Sequence, residues 1–375
     1  MVAGLLADAE SRSSLLAPPT AGSGDDRVFF IADPASGARL EVTGWSQIRT
    51  TLARASDTAP PADDFDSGFS LRRTRLTLQG RTADGRFGFK VTASVRASGG
   101  ARLSDGFITA RLAPGAELRV GQFKLPFARE ELTSAKRLLA ADRSITNDVF
   151  GQGRGQGVEL ALTRGEMSAT LAVSDGFNSA NTDLAADPAD WALTGRVEWA
   201  PVGSARAFRD FSSVRGSALG ALLGVAGHVE RTPDTPLARP MTRASWTADA
   251  GLEGDGWHVF AAAIGRSSEA HAGTFHDLGV VASASVFVTE SVEAFVRFDA
   301  VLPDGDRPLD GVFRTFTLGG TWFGHGHALK ITLDTQVFLD DLDDTALVGA
   351  SASQGLLAGA RAGAFAVRAQ VQFVF

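Results

Sequence analysis

The stretch AFAVRAQVQFVF, residues 364–375, has an apolar side chain at every second position from Phe365 to Phe375. Arg368 and two glutamines lie between these apolar positions. Successive side chains of a β-strand point to opposite faces, so a period of two predicts a strand with one apolar and one largely polar face. Chain termini are usually frayed and polar. This one is predicted to be an ordered strand.

The same alternation recurs along the chain. It is clear in RFGFKVTASVR (86–96), RASWTADAGLE (243–253) and LKITLDTQV (329–337). These stretches run for about 9 to 12 residues, which is longer than the usual strand of about 5 to 6. Sixteen such segments are predicted: 40–52, 69–80, 86–97, 103–113, 116–123, 156–164, 167–175, 191–200, 219–231, 242–253, 256–266, 277–288, 291–301, 312–323, 327–338 and 363–375.

The connections between these segments vary in length in a regular order. Odd-numbered connections are mostly long, and even-numbered ones are mostly tight turns such as RTADG (81–85). The short connection 98–102 and the long connection 201–218 break this order. Long loops at one end and tight turns at the other are typical of outer-membrane barrels. Because backbone polar groups need partners in lipid, such a sheet must close without edges. We therefore predict an all-β fold, a 16-stranded antiparallel up-and-down transmembrane β-barrel.

Composition excludes several other classes of protein. The longest apolar run is about ten residues, whereas a membrane-spanning helix needs about 18 or more. Cysteine is absent, which excludes disulfides and thiolate metal sites. A net charge of −7 without basic runs argues against a nucleic-acid partner. A soluble propeller or a pair of β-sandwiches is the alternative, but no blade-length repeat is present and sandwich strands are shorter.

The N-terminal region, residues 1–38, is predicted to lie outside the barrel domain, which spans residues 39–375. Residues 4–17 are predicted to form a short helix that ends at two prolines, and a linker follows. The first residues lack the basic region of a signal peptide. We expect a periplasmic segment here, from which a signal peptide has been removed.

Several stretches resemble the phosphate-selective porin O and P family of bacterial outer membranes. They include FDSGFSLRRTRLTLQGRTADGRFGFKV (65–91), LRVGQFKLPFAREEL (118–132) and ADRSITNDVFGQGRGQGVEL (141–160), and the resemblance extends over about residues 40–375. It implies a sixteen-stranded porin, usually trimeric, with an inward-folded constriction loop. It also implies that the strand ending in Phe375 is read by the barrel assembly machinery. The absence of tyrosine departs from the family pattern, so phenylalanine and tryptophan must form the aromatic girdles.

One long connection, at about residues 124–155, is the predicted constriction loop. The stretch 122–157 holds six basic and four acidic residues, although the whole chain is acidic. A loop of about 30 residues within a compact fold usually has a function. Guanidinium groups suit phosphate and carboxylate because their planar donor fork is always charged. This connection therefore supplies four candidates for an anion pathway: Lys124, Arg129, Arg143 and Arg154.

Two further candidates lie on the predicted strand 69–80. If Leu76 faces lipid, the alternation turns Arg73 and Arg75 inward and leaves Arg72 at the extracellular rim. These arginines are predicted either to form an anion path or to neutralise nearby carboxylates and hold the loop in place. Both interpretations stay open, because the predicted inward positions carry nearly equal numbers of basic and acidic residues.

Signals of catalysis are weak. GQGRGQG at 151–157 leads into a predicted strand, whereas a dinucleotide-binding fingerprint requires a following helix. Asp340, Asp341, Asp343 and Asp344 are interpreted as a solvated rim, with a divalent-cation or lipid-headgroup site as the alternative. We predict no catalytic residues, no cofactor and no metal.

The predicted function is an outer-membrane porin, a water-filled channel for passive diffusion of small hydrophilic solutes and ions. A preference of this channel for anions or phosphate is the more specific prediction. The alternative is an outer-membrane barrel enzyme or a structural barrel with a blocked lumen. The predicted partners are outer-membrane lipids, small anions or other small solutes, the assembly machinery and two further copies in a homotrimer.

Overall fold

The computed structural model describes residues 29–33, 36–55, 65–95, 99–183, 189–233, 241–270 and 273–375. Its main element is one antiparallel sheet of long strands. The strands are β1 (Phe29–Ala32), β2 (Arg39–Arg54), β3 (Phe65–Arg81), β4 (Phe87–Val95), β5 (Ala101–Ala113), β6 (Ala116–Lys124), β7 (Arg154–Arg164), β8 (Met167–Ser174), β9 (Trp191–Val202), β10 (Gly220–Arg231), β11 (Thr242–Gly254), β12 (Trp257–Ala270), β13 (Gly273–Phe287), β14 (Val292–Leu302), β15 (Phe313–His325), β16 (Leu329–Phe338) and β17 (Phe365–Val374).

The sheet closes into a barrel of sixteen strands. Each strand from β2 to β17 pairs with the next, and β17 pairs with β2 from Phe365↔Arg54 to Val374↔Trp45. The predicted fold and all sixteen predicted strands are confirmed, with ends that differ by a few residues. Because the period-two pattern reflects an apolar outer face and a polar inner face, it locates strands well but defines their ends less sharply.

Strand β1 was not predicted. It pairs with β2 from Phe29↔Val42 to Ala32↔Arg39, beyond the point where β17 ends. This pairing covers a part of β2 that would otherwise be an open edge. The predicted helix at 4–17 lies outside the described residues, so the division into residues 1–38 and 39–375 stays a prediction.

The C-terminal residue continues the barrel closure. Phe375 and Gly44 exchange two backbone hydrogen bonds, each of 2.8 Å. The Phe375 ring occupies the space that a side chain at Gly44 would need. The last aromatic residue is therefore paired and packed against the first long strand of the barrel.

The two faces of β17 differ as the alternation predicts, but the polar face is not hydrated. Val371 and Phe373 are 42% and 43% exposed on the outer face, whereas Arg368 is completely buried. The period-two pattern predicts that Arg368 points into the water of the lumen. It instead donates to Asp334 at 2.7 Å and to the backbone of Gln354, because other segments of the chain fill this part of the lumen.

A β-bulge on β3 changes the predicted position of Arg72. The register moves from Gln47↔Arg73 to Ile48↔Leu71, so Arg72 is an extra residue. Arg72 does not remain at the rim: its guanidinium lies 3.0 Å from the Asp142 carboxylate, beside Arg73.

In the described part of the chain, helical segments are short. They are α1 (Arg129–Leu132), α2 (Ile145–Phe150) and three 3₁₀ turns at Ala135–Arg137, Ala207–Arg209 and Leu342–Asp344. Helix α2 begins after Ser144, whose hydroxyl accepts the Asn147 N–H at 2.9 Å as an N-cap. Within the described ranges, no helix has the length and apolar character needed to cross a membrane.

Candidate permeation pathway

The segment 125–153, between β6 and β7, lies against the inner wall of the barrel. The Ala141 N–H donates to Asp334 on β16 at 2.8 Å, and the Ile145 N–H donates to Asp299 on β14 at 3.0 Å. Its apolar side chains are buried inside the barrel: Leu125, Phe127, Leu138, Leu139, Ile145 and Phe150. Backbone hydrogen bonds and buried apolar side chains therefore fix this segment to strands on one side of the lumen.

Asp142 is the electrostatic anchor of this segment. Its carboxylate lies 2.7 Å from Arg73 and 3.0 Å from Arg72, and it also accepts a hydrogen bond from Arg49. Burial opposes ionisation of Asp142, but the neighbouring Arg73, Arg49 and Arg72 guanidinium groups lower its pKa well below the usual range. Three cations on β2 and β3 are thus committed to holding one carboxylate of the loop.

A second inward segment comes from the opposite end of the barrel. Residues 203–219, between β9 and β10, bury Phe208 and Phe211 in the lumen. The Phe211 ring packs edge-on against Phe260 at 4.9 Å between centroids. Asp210 lies 3.1 Å from His327 and 4.0 Å from Arg137, which belongs to the 125–153 segment. The long connection that broke the predicted order is therefore a packed structural element.

Residues 339–364, between β16 and β17, complete the filling of this side. Leu342, Leu356 and Ala360 are buried in one apolar cluster with Phe127 and Phe150 of the 125–153 segment. We call the inner wall of β10–β17 the closed side, because these three segments cover it.

The inner wall of β3–β9, which we call the open side, keeps two adjoining cavities of about 580 and 520 Å³. Both are lined by Gln79, Lys90, Phe107 and Arg119. Twelve basic side chains line the two cavities: Arg39, Arg75, Arg81, Arg86, Lys90, Arg111, Arg119, Lys124, Lys136, Arg137, Arg154 and Arg196. Five carboxylates line them: Glu41, Asp105, Glu117, Glu159 and Glu198. The open side therefore carries a clear excess of positive charge.

Three of the predicted pathway residues meet in the larger cavity. Arg75, Lys124 and Arg154 all line it. Arg154 donates to Asp105 at 2.9 Å, whereas Lys124 donates to the backbone carbonyl of Glu131 at 2.6 Å. Among the described residues, no carboxylate lies within 4.0 Å of Arg75, and its buried Nε has no hydrogen-bond partner.

The other three predicted residues form contacts that hold the 125–153 segment in place. Arg73 is committed to Asp142, and Arg129 donates to Glu198 at 3.0 Å. Arg143 donates to the backbone carbonyls of Glu130, Glu131 and Thr133 within its own segment. None of the three lines the two cavities.

Lys90, Arg119 and Phe107 were not among the predicted pathway residues. The Arg119 guanidinium carbon lies 4.7 Å from the centre of the Phe107 ring, and the Lys90 Nζ lies 6.0 Å from it. Alternation on β4, β5 and β6 could place each of them inward. That Lys90, Phe107 and Arg119 meet across three strands depends on the pairing register, which the sequence pattern leaves open.

Three of the four predicted rim aspartates lie beside arginines. Asp340 accepts two hydrogen bonds from the Arg314 side chain, and Arg361 lies 3.0 Å from Asp341 and 3.8 Å from Asp343. In the described part of the chain, no group of three or more histidine, aspartate or glutamate side chains is arranged to hold a metal ion. The solvated rim stays a prediction.

Comparison with known proteins supports the same fold. The family model of "Phosphate-selective porin O and P" matches residues 56–241. No curated protein sequence matches the chain. Many solved structures are similar to the chain, among them three that are each matched over almost their full length.

The first is an anion-selective porin from Comamonas acidovorans, at 17% identity and a TM-score of 0.60, covering 90% of this chain and 100% of the porin. The outer membrane channel DcaP of Acinetobacter baumannii has 12% identity and a TM-score of 0.63, covering 92% and 99%. OmpT of Vibrio cholerae in its trimer form has 9% identity and a TM-score of 0.58, covering 90% and 99%.

The resemblance seen in the sequence motifs is thus confirmed over residues 56–241, and the barrel is one that porins share. The chain is a porin-type channel of the bacterial outer membrane.

Proposed function

We propose that the channel passes small hydrophilic anions by passive diffusion along the open side of the lumen. The observation that carries this proposal is the lining of the two adjoining cavities, where basic side chains outnumber acidic ones by twelve to five. A surplus of fixed positive charge on a low-dielectric wall raises the local concentration of anions. Clusters of charged side chains at the narrow part of a pore set its selectivity.

Arg75 is the residue of this wall best placed to meet a passing anion. Its guanidinium lies beside Trp45, 5.5 Å from the ring centre, and it has no carboxylate partner among the described residues. A cation without a fixed counter-ion leaves its charge available to a diffusing ion. Arg73, by contrast, is already neutralised by Asp142.

The 125–153 segment is proposed to act as the constriction. Pro126, Leu132, Ser134 and Lys136 from it form one wall of the larger cavity, facing the strands of the open side. Its anchors on β14 and β16 hold it at a fixed distance from those strands. A pore bounded on one side by a fixed loop keeps a defined width.

Phosphate is one anion that this lining suits. Arginine forks bind phosphate and carboxylate oxygens in pairs, and six of the eight basic residues on β2–β7 that line the cavities are arginines. The family description and the anion-selective porin from Comamonas acidovorans support an anion preference. The cavities are larger than one phosphate needs, so other small anions fit the same path.

We propose a homotrimer in the outer membrane, supported by the trimer form of the similar OmpT structure. Outer-membrane lipids are then the remaining partners of the outer face. Recognition by the barrel assembly machinery is assigned to β17 and Phe375. Native mass spectrometry of the channel in detergent would show three chains per particle, and a single chain would contradict this state.

The alternatives are a blocked barrel and a barrel enzyme, and we propose neither. Three segments fill the closed side, which favours a partly blocked lumen, but the two cavities remain on the open side. The family match and the porin fold favour a channel without catalysis.

Planar bilayers containing the purified chain test the proposal. We expect single-channel current steps and, in a KCl gradient, a reversal potential whose sign shows that chloride is more permeant than potassium. The absence of steps would contradict the channel, and a reversal potential of the opposite sign would contradict the anion preference. Replacing chloride by phosphate then measures which anion the channel favours.

A further inference from the structure

Phe107 occupies a particular place on the open side. It is the aromatic residue that lines both cavities, and its side chain is half-buried against Phe123, Leu125 and Ala172. The remainder of the ring faces the lumen. An ion that moves from one cavity to the other along this wall therefore passes an apolar surface.

Two cations flank this ring. Arg119 lies over Phe107 at 4.7 Å, and Lys90 lies at 6.0 Å. Both are held in place, because Arg119 pairs with Glu159 at 2.8 Å and Lys90 lies 3.4 Å from Asp105. The apolar surface and the positive charges thus form one fixed group within a few ångströms.

Such a group has no advantage for inorganic phosphate or chloride. A fully hydrated ion gains nothing from an apolar wall, and the ring removes polar surface that could otherwise replace its water. An anion with a ring or other apolar part gains twice, since its apolar part covers Phe107 while its charged end faces Arg119 or Lys90. Small-ligand sites commonly combine apolar walls with a few placed polar groups.

We propose that the channel favours organic carboxylates that carry an apolar part, such as aryl carboxylates, over small carboxylates of the same charge, and that Phe107 makes this distinction. This inference rests on the proposed anion channel and names its substrate class. Contact with Phe107 is brief, because a conducting pore must bind its solute weakly enough to release it.

The test uses the full chain in planar bilayers with KCl as the current carrier. Benzoate or acetate is added at increasing concentration, and the concentration that halves the single-channel current is measured for each. We expect benzoate to act at the lower concentration. In the Phe107→Leu variant, which keeps an apolar side chain without the ring, the half-blocking concentration of benzoate should rise about two- to five-fold. That of acetate should stay unchanged.

Phe298→Leu is the matched control, since Phe298 is a phenylalanine of β14 exposed on the outer face of the barrel. This variant should respond to benzoate as the parent channel does. Equal potency of benzoate and acetate in the parent channel would overturn the inference, and so would the same loss in both variants. The reversal potential in a KCl gradient reports the anion preference separately, so an anion-selective channel that ignores benzoate would leave the proposed function standing.

Discussion

The closed and open sides of the lumen are built from the same kinds of residue and differ in how those residues are paired. On the closed side, Arg368 and Asp334 lie 2.7 Å apart with no exposure to water. On the open side, Arg75 lines a cavity of about 580 Å³ and has no carboxylate partner in the described part of the chain. A charge that is paired and covered contributes little to the field that a passing ion experiences. A count of charges around the whole wall, which includes those that are paired and covered, therefore says little about selectivity.

Covering segments create this difference. The 125–153, 203–219 and 339–364 segments place apolar side chains over the wall of β10–β17, so the charges beneath them must pair to remain ionised. On β3–β9 the cover is partial: the 125–153 segment borders the larger cavity, and residues 179–182 contact one end of β5, β6 and β7. Variants that move a covering segment should make the closed side behave like the open side.

The largest effect is expected from Asp142→Ala. Removal of this carboxylate leaves Arg49, Arg72 and Arg73 close together without their counter-ion. Breaking a buried ion pair from one side costs about 3 to 5 kcal/mol. We expect the 125–153 segment to loosen, the single-channel conductance to rise and the thermal unfolding midpoint to fall.

Asp343→Ala is the control for this variant, because Asp343 is an exposed carboxylate near an arginine of the rim. It should leave conductance and unfolding unchanged. An Asp142→Ala channel with parental conductance would show that the segment is held by its other contacts.

A smaller opening is expected from Phe211→Ala on the turn side of the lumen. The Phe211 ring packs against Phe260 at 4.9 Å and His258 at 5.7 Å between ring centres. Loss of a buried phenylalanine costs about 3 to 5 kcal/mol. We expect a lower unfolding midpoint and a moderate rise in conductance, without a change in the sign of the reversal potential. Parental values of both would mean that residues 203–219 do not cover the wall.

The fold could be predicted from sequence to a much greater extent than the pathway. Alternation is a local property, so the strand that ends in Phe375 and its fifteen relatives were predictable one by one. Strand β1 is four residues long and too short for a period to be recognised. The inward course of residues 203–219 depends on Phe208 and Phe211 meeting β10–β12, which local patterns do not encode.

The pathway depends on contacts across the lumen. Arg73 and Arg75 are equivalent in the sequence, since both are arginines on the inner face of β3. Only the position of Asp142, 69 residues along the chain from Arg73, pairs Arg73, while Arg75 has no carboxylate partner among the described residues. No spacing rule relates residues on a strand to a residue on a distant loop. The sequence therefore predicts an anion-path role and a structural ion-pair role for both arginines, and it cannot assign either role to one of them.

Arg75→Ala is expected to change selectivity with little change in stability. A unit charge a few ångströms from a hydrated ion contributes about 1 kcal/mol in water. The ratio of chloride to potassium permeability should therefore fall by about two- to five-fold, measured from reversal potentials. Arg314→Ala is the control, because Arg314 is half-exposed at the rim and paired with Asp340. An equal fall in both variants would assign the preference to the overall charge of the channel.

The smallest effect concerns pH, and it separates two carboxylates of the same segment. Asp142 stays ionised because three guanidinium groups surround it. Asp148, on α2, accepts a hydrogen bond from Gln354 and has its pKa raised to about 7 by burial and by the negative charges of Asp142 and Glu130. A raised pKa means that the folded chain holds the proton more tightly. The stabilising contribution of Asp148 is therefore complete below its unfolded pKa and is lost as pH rises through 7.

Acidification from pH 8 to pH 6 should therefore neutralise Asp148 and leave the Asp142 anchor in place. The lumen loses one negative charge, so the permeability ratio of chloride to potassium should rise slightly. The effect is small because Asp148 lines neither of the two cavities. In Asp148→Asn the ratio should keep its acid value across this range. A pH response that persists in Asp148→Asn would place the titrating group elsewhere. A large rise in conductance on acidification would show that the ion pairs of Asp142 themselves break.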